Sequence, residues 1–212
     1  MKRFLRATWW MGLAGSLAMF AWASVAHMAT PLDDLGISAL PGGAQAEQAV
    51  RAQLYAAIGP QHGLYMFPSK ASMDAADSPQ AKAELAQGPY GLLMYHPPGP
   101  RAAGLENVQI AWEYVLELVQ CLIAAALLNA AGLRGFAARV LFVVGIGGAA
   151  VLSTNGAYWT FYGFPLDYTL GYAFTDLVRY LAAGLAMAAL PVRVLPTGRT
   201  GPLGENGAHE HL

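Results

Sequence analysis

An all-α membrane bundle, with four transmembrane helices and a small α/β extracytoplasmic cap between helices 1 and 2, is the architecture expected of this chain. Three features lead there. Of 212 residues, 56% are hydrophobic and 12% charged, about half the usual share of charge for a soluble domain. Four stretches reach the roughly 20 mostly apolar residues that a spanning helix needs. The Lys and Arg residues beside those stretches all fall on one side if the four alternate in direction.

The first span belongs to an N-terminal segment, residues 1–30. After Lys2, Arg3 and Arg6, no Asp, Glu, Lys or Arg occurs from Ala7 through Leu32. A cleaved signal peptide is the competing account, with small residues at Ala21-Trp22-Ala23 and Ser24-Val25-Ala26. The apolar run exceeds the core of about 7–15 residues typical of such peptides, which favours a retained anchor. Cleavage would leave three spans in the same orientation.

The other three spans lie in residues 107–192. One runs over about 108–133; the next begins after Arg139 and stays uncharged until Asp167; the last covers about 168–190. Arg134 and Arg139 occupy the turn between the second and third spans, and Arg193 and Arg199 follow the fourth. With the three N-terminal basic residues they place both termini in the cytoplasm and the long loop outside, at an inner or plasma membrane. Trp112, Tyr114, Trp159, Tyr162, Tyr168 and Tyr172 gather near the outer ends, the headgroup level that amphipathic rings favour. Residues 193–212 are Gly-rich and polar, and a disordered cytoplasmic tail is expected there.

The extracytoplasmic segment, residues 31–106, carries a weak internal α-β-α-β pattern. Val50, Leu54 and Ile58 recur at helical spacing, with Glu47 and Arg51 on a polar side. Gly59-Pro60 ends that helix, and Gly63-Leu64-Tyr65-Met66-Phe67-Pro68 reads as a strand closed by proline. A second helix over 79–87 is broken at Gly88-Pro89, and Gly91-Leu92-Leu93-Met94-Tyr95-His96-Pro97 reads as the second strand. Two strands alone are marginal in water, so this unit should rest on the ends of the spans. Flexible connections are expected over 69–78 and 97–104.

The spans carry polar groups. Glu113, Glu117 and Gln120 stand at i, i+4 and i+7, on one helical face. Tyr172, Asp176 and Arg179 form a similar stripe on the fourth span. At about 1.5 Å per residue all belong to the outer half of the bundle, with His27 level with Glu113 and with Asn155 of the third span in reach. A charge near the bilayer centre costs about 2.5–3.5 kcal/mol on insertion scales, so these groups should face inward and find partners. Three carboxylates against Arg179 leave a net charge of −2 if all are ionised. A proton, a protonated His27, a cation or a partner would balance it. Arg179 is expected to pair with Glu117 or Asp176, since a guanidinium binds carboxylates bidentately. The plainer account is a structural clip, with Asp176 and Arg179 paired at i, i+3 and Glu113 reaching water.

Gly145, Ala149 and Ser153 give the third span small residues at i, i+4 and i+8, a spacing suited to helix packing within the bundle or, less favoured, between copies. A balanced net charge of −1 excludes nucleic acid as a partner. The chain lacks HExxH, P-loop, GxSxG and GxGxxG motifs. The single cysteine, Cys121, excludes an internal disulfide and reads as packing. His62 and His96 read as surface residues. No cofactor is indicated, and a metal site stays open. The first expectation is a non-enzymatic membrane subunit or scaffold, with the lipid bilayer and a second copy or a membrane complex as partners. The second is a proton- or cation-coupled carrier using the carboxylate/arginine cluster. A membrane metal- or quinone-dependent enzyme is third.

Overall fold

The computed structural model describes residues 1–69, 71, 77–99 and 106–192. The tail, with Arg193 and Arg199, and most of the two expected flexible connections lie outside the described residues. The elements in chain order are α1 (Lys2–Ala29), a 3-10 turn (Pro31–Asp34), α2 (Gly43–Ile58), β1 (Gly63–Phe67), α3 (Pro79–Gln87), β2 (Gly91–Tyr95), α4 (Glu106–Ala131), α5 (Phe136–Tyr162) and α6 (Leu166–Ala188).

Local chemistry sets several boundaries. The Ser78 hydroxyl accepts from the Ala81 amide at 3.2 Å, and Pro79 opens α3 at a position whose N–H would be unpaired in any case. Gly59, at φ 72°, ends α2. Gly163, at φ 69°, closes α5 in the left-handed conformation that glycine adopts without strain, and α6 starts three residues later, after Pro165.

Among the described residues, three helices are long and apolar enough to cross a membrane: α1, the 108–131 part of α4, and α5. Four had been expected. α6 falls short of the other three because Asp167, Asp176 and Arg179 interrupt it. Leu17, Ile123, Leu141, Leu152, Phe174 and Leu185 all point outward. An apolar exterior of that kind suits lipid rather than water.

Helix α1 lies at the centre of the bundle. It packs on α4 along one side and on α6 along the other, and α6 carries α5 on its far side. The lateral order is therefore α4, α1, α6, α5. Helices α4 and α5 are joined by the short turn over 132–135, yet they barely touch. Small residues permit the close approaches. Gly12 lies against Leu122, Gly15 against Met187 and Cys121, and Gly184 against Val140 and Val143. A β-carbon on Gly147 would run into the Tyr180 ring. The core where α1, α4, α5 and α6 meet includes Met11, Met19, Cys121, Ala124, Leu128, Val143, Ala183 and Met187.

Polar ties fix the helices in register. Asn129 of α4 donates to the Thr8 hydroxyl of α1 at 3.1 Å, and the Trp22 indole donates to the Thr175 carbonyl of α6 at 3.1 Å. Arg139, near the start of α5, donates to the carbonyls of Met187 and Leu190 at the end of α6. It thereby adds a second donor to the Met187 carbonyl, which already accepts from the Leu190 amide, and satisfies the Leu190 carbonyl just past the helix end.

The two strands pair antiparallel, with Gly63 opposite Tyr95 and Phe67 opposite Gly91. The Tyr95 hydroxyl donates to the Gly59 carbonyl at 3.0 Å, which ties the sheet to the end of α2. Among the described residues, this segment meets the bundle at the start of α6 and approaches the end of α5. Leu35 and Gly36 lie against Gly171 and Tyr168 of α6, and Met66, Phe67 and Leu92 face Thr160 and Phe161 across a gap of about 260 Å³.

Candidate functional site: a polar cleft between three helices

Because α4 and α5 pack on opposite flanks of the α1–α6 pair, a cleft of about 580 Å³ remains between them, floored by α6 and by Met19 of α1. α4 contributes Glu113, Leu116, Glu117 and Gln120 to it. α5 contributes Ala150, Val151, Thr154, Asn155 and Tyr158. α6 contributes Tyr168, Tyr172, Asp176, Arg179 and Tyr180. The helical spacing of 113, 117 and 120, and of 172, 176 and 179–180, turns each set toward the same space.

Arg179 is the hub. Its Nη1 donates to Glu113 Oε1 at 2.7 Å, across from α6 to α4, and its Nη2 lies 3.0 Å from His27 Nε2 of α1. Glu117 Oε1 is 4.0 Å from Nη1, and Asp176 Oδ1 is 4.0 Å from Nε, three residues back on the same helix. The expected partners, Glu117 and Asp176, are thus at ion-pair range only, and the direct hydrogen bond goes to Glu113. The reason is reach: Arg179 extends toward the 31–105 end of the bundle, where Glu113 and His27 stand level with each other. The guanidinium is 14% exposed and Glu113 40%, so Glu113 retains access to solvent while it pairs.

Glu117 differs in kind. Its side chain is 2% exposed, and neither carboxylate oxygen has a hydrogen-bond partner in the protein. Buried polar groups are hydrogen-bonded in the great majority of cases, and an unpartnered one is costly. Asn155 lines the cleft beside Asp176, with its Nδ2 buried and lacking a complete hydrogen bond. Gln120 takes no part in the ion cluster. It accepts instead from the Tyr180 hydroxyl at 2.9 Å, a second bridge between α4 and α6.

Three features of the cleft were not anticipated. Tyr180 enters it because it follows Asp176 by four residues, a helical repeat visible in the sequence. Thr154 sits one residue before Asn155 on the same wall. Tyr158, Phe164, Tyr168 and Tyr172 form a continuous ring series, with successive centroids 5.2, 5.3 and 5.0 Å apart. The tyrosines of that series line the cleft in addition to any role at a headgroup level.

Gly145, Ala149 and Ser153 lie on the face of α5 that points away from α6. Contact with α6 is made by Gly147 and, more loosely, by Gly148. Cys121 is buried in the core. Among the described residues no three His, Cys, Asp or Glu side chains are placed to hold a metal ion. No family model, curated protein or solved structure matches the chain.

Proposed function

We propose that this chain is a four-span integral membrane protein of the inner or plasma membrane and that it takes up a proton or a cation in the cleft, as a small carrier. In this reading α6 is the fourth span. Its two central charges face the cleft rather than the surroundings, and that lowers the cost of placing them at membrane depth. The basic residues at the 132–139 turn and at the start of α1 put that end of the bundle in the cytoplasm. Both termini are then cytoplasmic, and the 31–105 segment is an extracytoplasmic cap above the cleft.

One observation carries the reading: Glu117 is a buried carboxylate with no hydrogen bond, in a cavity where Glu113 and Asp176 already exceed the charge of Arg179. A group that only clipped helices together would gain by being satisfied. One left open gains by receiving a proton or a cation. Four helices are few for alternating access, so the working unit is a dimer.

The test is flux. Purified protein in sealed liposomes with an internal pH dye, under an imposed gradient of proton or of monovalent cation, should show transport above empty vesicles. Glu117→Gln should abolish it. Equal flux in the two proteins would defeat the proposal.

The second reading, a membrane scaffold, draws on the outward stripe of Gly145, Ala149 and Ser153, which gives a partner helix a surface for close approach. It expects a stoichiometric membrane partner to co-purify and Glu117→Gln to leave that association unchanged.

A further inference from the structure

We infer that the cleft is built for a small organic ammonium ion, held by the Glu117 carboxylate with its carbon body on a tyrosine wall. The inference rests on the cation-handling reading above and names the class of cation. Sign is the first argument. Glu113, Glu117 and Asp176 face Arg179, so the cleft favours a positive guest once Arg179 has engaged Glu113. An anion would meet an excess of carboxylate.

Coordination is the second. A hard inorganic cation takes six to eight oxygen ligands, or a fixed octahedron of them, at short range. The acidic groups here do not converge in that way. A primary ammonium carries three N–H donors and a quaternary one none, so neither demands such a shell, and Glu117 offers two oxygens that no protein donor occupies.

The third is the wall. Tyr158, Tyr168 and Tyr172 face the same space as Glu117, and Tyr180 closes it from α6. A cation over an aromatic face within about 6 Å of the ring centre gains electrostatic energy, most of all where water is excluded. Leu116 and Val151 add apolar surface to the cleft lining.

Size is the fourth. At about 580 Å³ the cleft falls within the range of small-molecule sites, about 300–1,000 Å³, and far exceeds what a proton relay needs.

The experiment is titration calorimetry on the full chain in detergent, with four probes: 2-phenylethylammonium, tetraethylammonium, the neutral 2-phenylethanol and sodium chloride. The expected result is saturable binding of the two ammonium ions at least about tenfold tighter than the alcohol, with no heat from sodium. Glu117→Gln should weaken phenylethylammonium by at least about tenfold, and Tyr158→Leu by roughly threefold to thirtyfold. Equal affinity for the amine and the alcohol would overturn the inference, as would amine binding unchanged in Glu117→Gln. If Glu117→Gln does not fold, the four-probe comparison on the unaltered protein decides alone. Proton flux that needs Glu117, without ammonium binding, removes this inference and leaves the carrier. Ammonium binding without any flux keeps this inference and removes the carrier.

Discussion

Arg179 of α6 donates to Glu113 of α4 at 2.7 Å and has His27 of α1 3.0 Å away, so one side chain ties three helices together at one level. Glu117 lies one turn further along α4 and is held only at 4.0 Å. The arginine therefore serves a structural tie and a charge balance together. Its removal should harm both, while removal of Glu113 should harm only the first.

Arg179→Gln should lower stability by about 3 kcal/mol, the low end for breaking a buried pair, because it strands Glu117 and Asp176 without a counter-ion. Glu113→Gln keeps a side chain of the same length that still accepts a hydrogen bond, and should cost about 1 kcal/mol. Unfolding in mixed detergent micelles by added sodium dodecyl sulfate measures both. Equal losses would mean that Arg179 balances nothing beyond Glu113.

Gly147→Val should destabilise by about 1–3 kcal/mol, since its side chain would displace the Tyr180 ring from the α5–α6 contact. Gly145→Val meets open space within the chain and should leave monomer stability nearly unchanged. Any effect of Gly145→Val belongs to contacts between copies or with a partner. Cross-linking at graded lipid dilution separates the two cases.

Arg139→Met removes the donors to the Met187 and Leu190 carbonyls and should cost about 1.5–3 kcal/mol, the range for hydrogen bonds from a charged group. Faster hydrogen exchange should follow at amides in the last turn of α6. Uniform exchange along the whole helix would argue against a local role.

Asn129→Leu should cost about 0.6 kcal/mol and no more than about 1.7 kcal/mol, the span measured for hydrogen bonds between membrane helices. Thr8→Val should cost no more, and the double variant little more than Asn129→Leu alone, because Asn129 donates to the Thr8 hydroxyl and also reaches Met11 Sδ, and Thr8→Val removes only the first of these. Additive losses in that cycle would show that Asn129 and Thr8 act separately.

The unaltered chain should resist a membrane-impermeant maleimide until it is unfolded, since Cys121, its single thiol, is buried. That silence makes a clean background for topology. Cysteines placed at exposed Gln61 and Ala137 should label from opposite faces of sealed vesicles. Labelling of both from one face would refute the four-span arrangement.

The short elements were legible because their stops are chemical. Ser78-Pro79 and Gly88 bracket α3, and Gly59-Pro60 with Pro68 brackets β1, so the helix and strand bounds follow from residue type alone. Helix order was not legible. Spans that are apolar nearly all round do not reveal which face meets a neighbour, so the central place of α1 and the gap between α4 and α5 could not be read off. The same ambiguity hid the packing glycine: Gly145 and Gly147 are equally small, and only the helix order selects Gly147 for Tyr180. The polar face of α4 was visible from the spacing of 113, 117 and 120. That Arg179 would bypass Glu117 for Glu113 depends on how far α6 stands from α4, a distance that no spacing along one helix encodes.

The turn over 132–135 joins two helices that otherwise lean on different neighbours, so it acts as the pivot of a lever. With each arm near 40 Å at 1.5 Å per residue, one degree of rotation at the pivot moves the far tip by roughly 0.7 Å. A swing of about four degrees would widen or narrow the mouth by roughly 3 Å, an atom's breadth. The Arg179–Glu113 and Tyr180–Gln120 bridges hold the α4 arm to α6, on one side of that mouth.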